Sequence, residues 1–306
     1  MKILLFGKNG QVGWELQRSL APLGELVAVD FDTPGDLSGD FTDPAALAET
    51  VRRVAPRVIV NAAAYTAVDQ AEAEPELARA INAGAPAVLA KAAEKLGAWL
   101  VHYSTDYVFD GQGEAPRVET DPTGPLSVYG QTKLEGELAV ARAPKHFILR
   151  TSWVYAARGA NFAKTMLRLA AERDLLRVID DQVGAPTGAD LLADVTAHVL
   201  RAAEDRPQLA GLYHLAAADE TSWHGYACFV IEEARRAGHA LRVAADRVES
   251  IPSSAYPTPA RRPANSRLDT GKLRRTFGVH LPDWRVGVKR LIDELPVNQG
   301  DEHTGS

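Results

Sequence analysis

The chain has 306 residues, of which 46% are hydrophobic and 24% charged, and its formal net charge is −6. This composition is typical of a globular protein and excludes the disordered and fibrous classes. At about 150 residues per domain, the length predicts two domains, or one large α/β unit with an elaborated C-terminal half. The acidic balance argues against a nucleic-acid partner, which would need a basic surface to replace counterions.

Cysteine content and hydropathy predict where the protein works. The single cysteine, Cys228, cannot form an internal disulfide, and no cluster of cysteines and histidines predicts a structural zinc site. No window reaches the ~18 to 20 consecutive apolar residues of a membrane span, and the apolar start of the chain is interrupted too early for a signal peptide. We therefore expect a cytoplasmic protein without a membrane partner.

Short apolar runs alternate with segments of helical period in the first half of the chain. The runs predict strands at residues 2–6, 26–29, 58–61, 99–103 and 147–150. A helix is expected after Thr42, because Asp43 can cap it and Pro44 suits its first turn. The Ala-rich stretch 75–96 predicts another long helix, ended by Gly97. This alternation indicates an α/β fold with a Rossmann-type, doubly wound parallel sheet.

The second half has a looser pattern. Connections rich in proline and glycine, at 184–188 and 251–263, separate helical patterns near 191–199 and 286–295. We predict a Rossmann domain over residues 1–151 and a smaller α/β domain over 152–296, with some segments returning to the first domain. Residues 297–306 are predicted to form a flexible tail.

A glycine-rich turn follows the first predicted strand. Gly7, Gly10 and Gly13 have the spacing GxxGxxG and lead into a helical run. In this position glycines let backbone N–H groups approach a pyrophosphate, and the helix N-terminus adds unpaired donors. The alternative is a turn that merely requires glycine. The position between strand and helix favours a dinucleotide site.

An acidic residue ends the second predicted strand. Asp30 can accept hydrogen bonds from the adenosine ribose hydroxyls, which favours NADH over NADPH. The alternative is an exposed carboxylate at a strand end. Asp40 and Phe41 follow in a loop that could hold the adenine ring. Because Phe31 neither supplies nor forbids a phosphate contact, use of both cofactors stays open.

A tyrosine and a lysine share one face of a predicted helix. Tyr129 and Lys133 have i, i+4 spacing, and an ammonium beside a phenol stabilises the phenolate. We expect Lys133 to lower the pKa of Tyr129, which would suit a general acid or base. The pair alone also fits a solvated helix face. Hydroxyls of Ser104 and Thr105, at the end of the fourth strand where ligands bind, favour the catalytic interpretation.

These residues together resemble a known superfamily. The segment 7–13, Asp30, the segment 61–63, Thr105 and the Tyr129/Lys133 pair resemble the extended short-chain dehydrogenase/reductases. Four further segments resemble the dTDP-4-dehydrorhamnose reductase family: STDYVFDG at 104–111, RTSWVY at 150–155, DQVGAPT at 181–187 and RPANS at 262–266. The resemblance is specific, because four motifs occur in the right order over nearly the whole chain. It implies an oxidoreductase that uses NADH or NADPH to reduce a nucleotide sugar, dTDP-4-dehydro-β-L-rhamnose, to dTDP-β-L-rhamnose.

The resemblance also implies catalytic and cofactor-binding roles. Tyr129 would protonate the C4 oxygen of the sugar, Lys133 would hold the nicotinamide ribose, and Thr105, rather than Ser104, would bind the carbonyl oxygen. Further cofactor contacts would come from Gln11, Val12, Ala63, Ala64 and Tyr65.

Substrate contacts are implied in the same way. Asp106 would hydrogen-bond the sugar, and Trp153 would pack against the sugar or its base, unless it is a core tryptophan. The diphosphate of the substrate requires a cationic partner. The stretch 261–275 has six basic residues and one acid, and from it Arg262 is the expected contact. The ordinary alternative for this stretch is a solvated face.

Some members of the family are described with Mg²⁺ bridging a homodimer through carboxylates. The matching positions are Asp190 and Glu294, and Asp190 is one methylene shorter than the expected glutamate. The Mg²⁺ site and the homodimer are therefore alternatives that the sequence leaves open.

Two other functions fit parts of the pattern. A nucleotide-sugar epimerase or 4,6-dehydratase of the same superfamily would recycle its NAD, but Tyr107 stands where such dehydratases have a glutamate. A non-catalytic regulatory subunit, similar to the β subunit of methionine adenosyltransferase, would not need the intact Thr105, Tyr129 and Lys133.

Overall fold

A computed structural model describes residues 1–297, so residues 298–306 of the predicted tail lie outside the described residues. The strands are β1 (Lys2–Phe6), β2 (Glu25–Val29), β3 (Val58–Asn61), β4 (Trp99–Thr105), β5 (His146–Thr151), β6 (Val154–Tyr155), β7 (Leu176–Ile179), β8 (Val183–Gly184), β9 (Thr187–Gly188), β10 (Gly211–His214), β11 (Thr221–Ser222) and β12 (Val248–Ile251). The helices are α1 (Gln11–Leu20), α2 (Pro44–Val54), α3 (Val68–Ala71), α4 (Pro75–Arg79), α5 (Ala85–Leu96), α6 (Val128–Val140), α7 (Phe162–Glu172), α8 (Ala189–Ala203), α9 (Trp223–Arg236), α10 (Gly271–Phe277) and α11 (Trp284–Glu294). Of the helices in residues 1–297, none is long and apolar enough to cross a membrane.

The central sheet has six parallel strands in the order β2-β1-β3-β4-β5-β10. This confirms the predicted parallel sheet and its first five strands. The sixth strand, β10, comes from the second half of the chain and pairs Tyr213 with Leu149 of β5. Strand β10 was not predicted from the sequence, because four residues that begin with glycine give little periodic signal.

Helices cover both faces of the sheet. On one face, alternate strand residues such as Leu5 and Val60 pack against α1, α8 and α10, where Leu16 and Leu192 are fully buried. The other face packs against α2, α5 and α6. Buried on both faces, these strands read as nearly continuous apolar runs, which is why their positions were predictable.

The predicted helix 75–96 is interrupted by a π-helical turn at residues 80–84. The predicted helical stretch 75–96 is confirmed in extent, and Gly97 ends α5 as expected, with φ +63°, but the π-helical turn was not predicted. Pro86 lies in the first turn of α5 and has no N–H for an α-helical bond to the preceding turn, which favours the wider turn. The buried Asn82 in this turn accepts a hydrogen bond from the Tyr65 N–H at 2.9 Å and donates one to the Tyr65 carbonyl at 3.1 Å.

A separate apolar core forms in the second half of the chain. It is built on α7, α9 and α11 with the parallel pair β7 and β12, around buried residues such as Tyr226, Val230 and Trp284. Because this core does not include the central sheet, the molecule has two packed units with a cleft between them.

A buried ion pair ties α6 to β5. Arg150 Nε and Nη2 donate to the Glu137 carboxylate at 2.8 and 2.7 Å, and the two side chains are only 4% and 5% exposed. We expect Glu137→Ala to lower the free energy of unfolding by about 3–5 kcal/mol, because Arg150 would be left buried and unpaired. Denaturant unfolding measures this change. The control is Glu172→Ala in the exposed pair with Arg168, which should have a small effect; equal effects of the two variants would contradict the prediction.

Candidate active site

A cleft of about 860 Å³ opens at the carboxyl edge of the central sheet. It lies where the strand order reverses between β1 and β3, the position at which open α/β sheets bind their ligands. Among the predicted site residues, the cleft is lined by Gly7, Gly10, Gln11, Val12, Asp30, Asp40, Phe41, Ala63, Ala64, Thr105, Asp106, Tyr129, Lys133 and Trp153. Gly13, Tyr65 and Arg262 lie outside this lining.

The glycine turn is shaped by close backbone contacts. Gly7 has φ +81°, and a Cβ on it would lie 2.6 Å from the Ala63 nitrogen. A Cβ on Gly13 would lie only 1.9 Å from the Gly7 carbonyl oxygen, so Gly13 supports the turn from behind. Gly10 precedes α1 and faces the cleft, and no side chain caps the helix there. The uncapped N–H groups and open backbone fit a dinucleotide pyrophosphate.

Asp30 is held beside this turn by backbone donors. Its carboxylate accepts hydrogen bonds from the N–H groups of Asn9 and Phe31, both at 2.9 Å. The Phe31 side chain is 75% exposed and lines the cleft next to Asp30. An exposed aromatic ring beside a ribose-binding acid can cover an adenine ring, a contact that the sequence analysis did not assign.

Tyr65 does not present its side chain to the cleft. Its hydroxyl donates to Glu74 Oε2 at 2.6 Å, and its backbone pairs with Asn82. A contact between Tyr65 and a cofactor would therefore come through the backbone segment next to Ala64.

Three predicted catalytic residues meet on β4 and α6. Tyr129 is hydrogen-bonded to Thr105, whose Oγ1 also donates to Asp106 Oδ1 at 3.2 Å. This meeting depends on Gly130, where a Cβ would lie 2.3 Å from the Tyr107 carbonyl oxygen. The Tyr107 ring packs edge-on against Tyr129, with 5.5 Å between the ring centroids.

The electrostatics of this group differ from the sequence expectation. Burial lowers the pKa of Lys133 to about 8, with the nearby Glu137 opposing the shift, and the ammonium donates to the Tyr103 carbonyl at 2.6 Å. Burial raises the pKa of Tyr129 to about 12, against the effect of its hydrogen bond to Thr105. The expectation that Lys133 lowers the pKa of Tyr129 is therefore wrong for this structure, because burial has the larger effect and the Lys133 ammonium is directed elsewhere.

Two tryptophans separate this cleft from a second cavity. Trp153 stacks on Trp223, with 3.6 Å between ring centroids and 12° between planes. Trp223 lines both cavities. Trp153 was predicted as a site residue and Trp223 was not, because nothing in the sequence around a tryptophan at a helix start reveals its partner 70 residues earlier.

The second cavity, of about 990 Å³, is lined by Asp69 and otherwise by residues of the second half of the chain. Its basic lining residues are Arg173, Arg177, Arg261 and Arg262. Arg262 lies here, and its two Nη atoms donate to the Asp69 carboxylate at 3.1 and 2.7 Å. The basic stretch 261–275 does not form one patch, since Arg267 pairs with Glu220 and Lys272 donates to a backbone carbonyl. Arg173 and Arg177 were not predicted, because they lie far from that stretch in sequence.

Comparison with known proteins agrees with this geometry. The family model described as RmlD substrate binding domain matches residues 1–297. The dTDP-4-dehydrorhamnose reductase of Shigella flexneri is 60% identical, over 96% of this chain and 98% of that protein. The chain belongs to the dTDP-4-dehydrorhamnose reductase family.

Solved structures of the family share the fold. The dTDP-4-dehydrorhamnose reductase from Clostridium acetobutylicum is 38% identical with a TM-score of 0.85, over 96% of this chain and 99% of that one. The Bacillus anthracis reductase, solved in complex with NADP, is 33% identical with a TM-score of 0.86 over the same shares. The predicted fold class and family are thereby confirmed.

The carboxylates considered for Mg²⁺ do not fit a metal ion. Arg290 Nη1 lies 3.3 Å from Asp190 Oδ2, and Arg290 Nε donates to Glu294 Oε1 at 2.9 Å. Residues 1–297 contain no group of three or more histidine, cysteine, aspartate or glutamate side chains arranged to hold a metal. In this member of the reductase family, the guanidinium of Arg290 pairs with both carboxylates and stands where a metal ion would have to bind.

The glycine turn gives a direct test of the cofactor site. We expect Gly13→Ala to weaken NADPH binding at least about tenfold and to lower stability, because the new methyl group cannot fit beside the Gly7 carbonyl. Nicotinamide fluorescence and thermal unfolding measure the two effects. Gly84→Ala is the matched control, since a Cβ there would meet no atom closer than 3.9 Å. Normal NADPH binding by the Gly13 variant would contradict the assignment.

Proposed function

We propose that this chain reduces the C4 ketone of dTDP-4-dehydro-β-L-rhamnose with NADPH or NADH, forming dTDP-β-L-rhamnose. The observation that carries the proposal is the meeting of Thr105, Tyr129 and Lys133 at the sheet edge in a member of this reductase family. The Bacillus anthracis relative binds NADP, and Asp30 favours the free ribose hydroxyls of NADH. The proposal therefore includes both cofactors.

Tyr129 is the proton donor in this reaction. The bound reduced nicotinamide supplies the hydride that adds to the carbonyl carbon. Because the pKa of Tyr129 is about 12, its phenol is protonated at neutral pH, which is the state that reduction requires. Thr105 lies within hydrogen-bonding distance of that phenol and is placed to bind the same carbonyl oxygen.

In this proposal Lys133 holds the nicotinamide ribose from the helix face that carries Tyr129. Its pKa is about 8, so most Lys133 side chains are protonated at neutral pH. The ammonium is buried and donates to the Tyr103 carbonyl at 2.6 Å, which fixes its position beside the catalytic group.

The substrate would extend across both cavities. The sugar lies beside Asp106 and Trp153, and the nucleotide continues past Trp223 into the second cavity. Burial raises the pKa of Asp106 to about 7, so at neutral pH its carboxyl can donate or accept a hydrogen bond. Arg262, together with Arg261, offers the diphosphate its cationic contacts. Binding energy from this remote group can then orient the ketone.

The domain roles and the setting of the enzyme belong to the same proposal. Residues 1–151 form the cofactor domain and 152–296 mainly the substrate domain, with β10 and α8 returning to the central sheet. We place the enzyme in the cytoplasm, and a monomer and a homodimer are the alternatives for its assembly. Sedimentation of the purified protein tests the assembly state.

Stoichiometric consumption of the reduced cofactor tests the activity. With dTDP-4-dehydro-β-L-rhamnose, we expect one NADPH or NADH to be oxidised for each sugar reduced. The fall in the absorbance of the reduced nicotinamide measures this consumption. GDP- and UDP-linked 4-keto sugars serve as controls and should react poorly. Sugar conversion without net cofactor loss would instead identify a cofactor-recycling epimerase or dehydratase, and cofactor binding without any turnover would identify a regulatory subunit.

Substitution of the proton donor tests the mechanism. We expect Tyr129→Phe to reduce kcat by at least about a hundredfold, the lower range for general acid catalysis, while NADPH binding stays near wild type. Single-turnover kinetics and fluorescence titration measure the two quantities. Tyr213→Phe is the control, because it also removes a buried tyrosine hydroxyl, which donates to the Leu209 carbonyl outside the cleft lining. Unchanged turnover of the Tyr129 variant would remove this residue from the mechanism.

A further inference from the structure

A loop from the second half of the chain, residues 156–161, lies against the glycine turn. The Arg158 guanidinium donates through Nε to the Asn9 carbonyl at 3.2 Å and sits 4.2 Å from the centre of the Trp14 ring. Gln11 Nε2 reaches the Ala160 carbonyl at 3.4 Å. The loop therefore meets both the turn and the first residues of α1, although about 150 residues of chain separate them.

The loop is held in place from its other side. Asn161 Nδ2 donates to the Ala156 carbonyl at 2.7 Å. Lys164 Nζ donates to the carbonyls of Ala157 and Gly159, at 2.8 and 2.7 Å. Because three backbone carbonyls of the loop accept hydrogen bonds from Asn161 and Lys164, the loop holds Arg158 in a fixed position. Gly159, next to Arg158, itself lines the cleft.

The cleft has negative charge near the glycine turn, where a cationic side chain would help to bind a phosphate. Its described lining includes the carboxylates of Asp30 and Asp40 and no arginine; Arg158 itself lies outside the lining, next to Gly159, which belongs to it. The one lysine in that lining, Lys133, lies on the far side of the cleft at the catalytic group. A dinucleotide carries two charged phosphates, which binding would place beside this acidic lining. Within residues 1–297, the contacts of the Arg158 guanidinium are with the Asn9 carbonyl and the Trp14 ring and not with a carboxylate, so its charge is available.

We propose that Arg158 binds the pyrophosphate of the nicotinamide cofactor, so that the second half of the chain completes the cofactor site. This inference rests on the cofactor site of the proposed function. The Trp14 ring and the Asn9 carbonyl orient the guanidinium through one face and Nε, which leaves the two Nη groups for phosphate oxygens. Arg158 acts in binding and not in the chemical step.

Cofactor titration of an Arg158→Ala variant tests the inference. We expect the Kd values of NADPH and NADH to rise by a similar factor of about ten, the size of one charge-assisted hydrogen bond, measured by nicotinamide fluorescence. Arg158→Lys should recover part of the loss. The control is Arg168→Ala on α7, which removes an exposed arginine paired with Glu172.

The other outcomes overturn the proposal. Unchanged Kd values would show that Arg158 does not touch the cofactor. A loss confined to NADPH would assign Arg158 to the 2′-phosphate, and a loss seen in Lys8→Ala but not in Arg158→Ala would assign the phosphate contact to Lys8. Because binding is measured without sugar substrate, these results remain interpretable even if the wild-type enzyme does not reduce the proposed ketone.

Discussion

Close approach between backbone segments at the carboxyl edge of the sheet is the constraint on which the site depends. The glycine turn touches the segment after β3 at Gly7, and α6 touches the segment after β4 at Gly130. A methyl group at either position would overlap backbone atoms, which cannot move aside as a flexible side chain can. Cofactor geometry depends on the first contact, and the Tyr129–Thr105 hydrogen bond depends on the second. The active site is thus set by packing before any charge is considered.

The second half of the chain contributes to this edge in three ways. Trp223 stacks on Trp153 and stands between the two cavities. The Asp69–Arg262 ion pair joins α3 of the first unit to the lining of the second cavity. The 156–161 loop adds Arg158 beside the glycine turn. Each of the two cavities is therefore lined by residues of both units, so that a cofactor and a substrate bound as proposed would lie next to one another.

Much of the first unit could be predicted from the sequence because its signals are local. Buried parallel strands appear as apolar runs, Asp43 caps α2 as predicted, and the glycine turn lies between a strand and a helix. The features that the sequence did not predict depend mainly on contacts between residues that are distant in sequence. The π-helical turn follows from Pro86 and from the hydrogen bonds between Asn82 and the Tyr65 backbone. Strand β10 is recognisable as a strand mainly because it pairs with β5.

In the candidate site, too, local features were predictable from the sequence, and features that depend on distant segments were not. The spacing of Tyr129 and Lys133 predicted a shared helix face, and both residues line the cleft. The direction of the Tyr129 pKa shift was not predictable, because it depends on how far surrounding segments bury the phenol and on the carbonyl that binds the Lys133 ammonium. Trp223, Arg173 and Arg177 were missed for a related reason: single aromatic and basic residues carry no sign of a cavity formed by distant segments.

The destination of the hydride tests the central claim most directly. The enzyme would be supplied with dTDP-4-dehydro-β-L-rhamnose and with NADPH carrying deuterium at both C4 positions of the nicotinamide, and the sugar product would be analysed by NMR and mass spectrometry. Direct reduction predicts one deuterium at the sugar C4 for each cofactor oxidised. A product without deuterium at that carbon, or conversion that leaves the labelled cofactor unoxidised, would contradict the account.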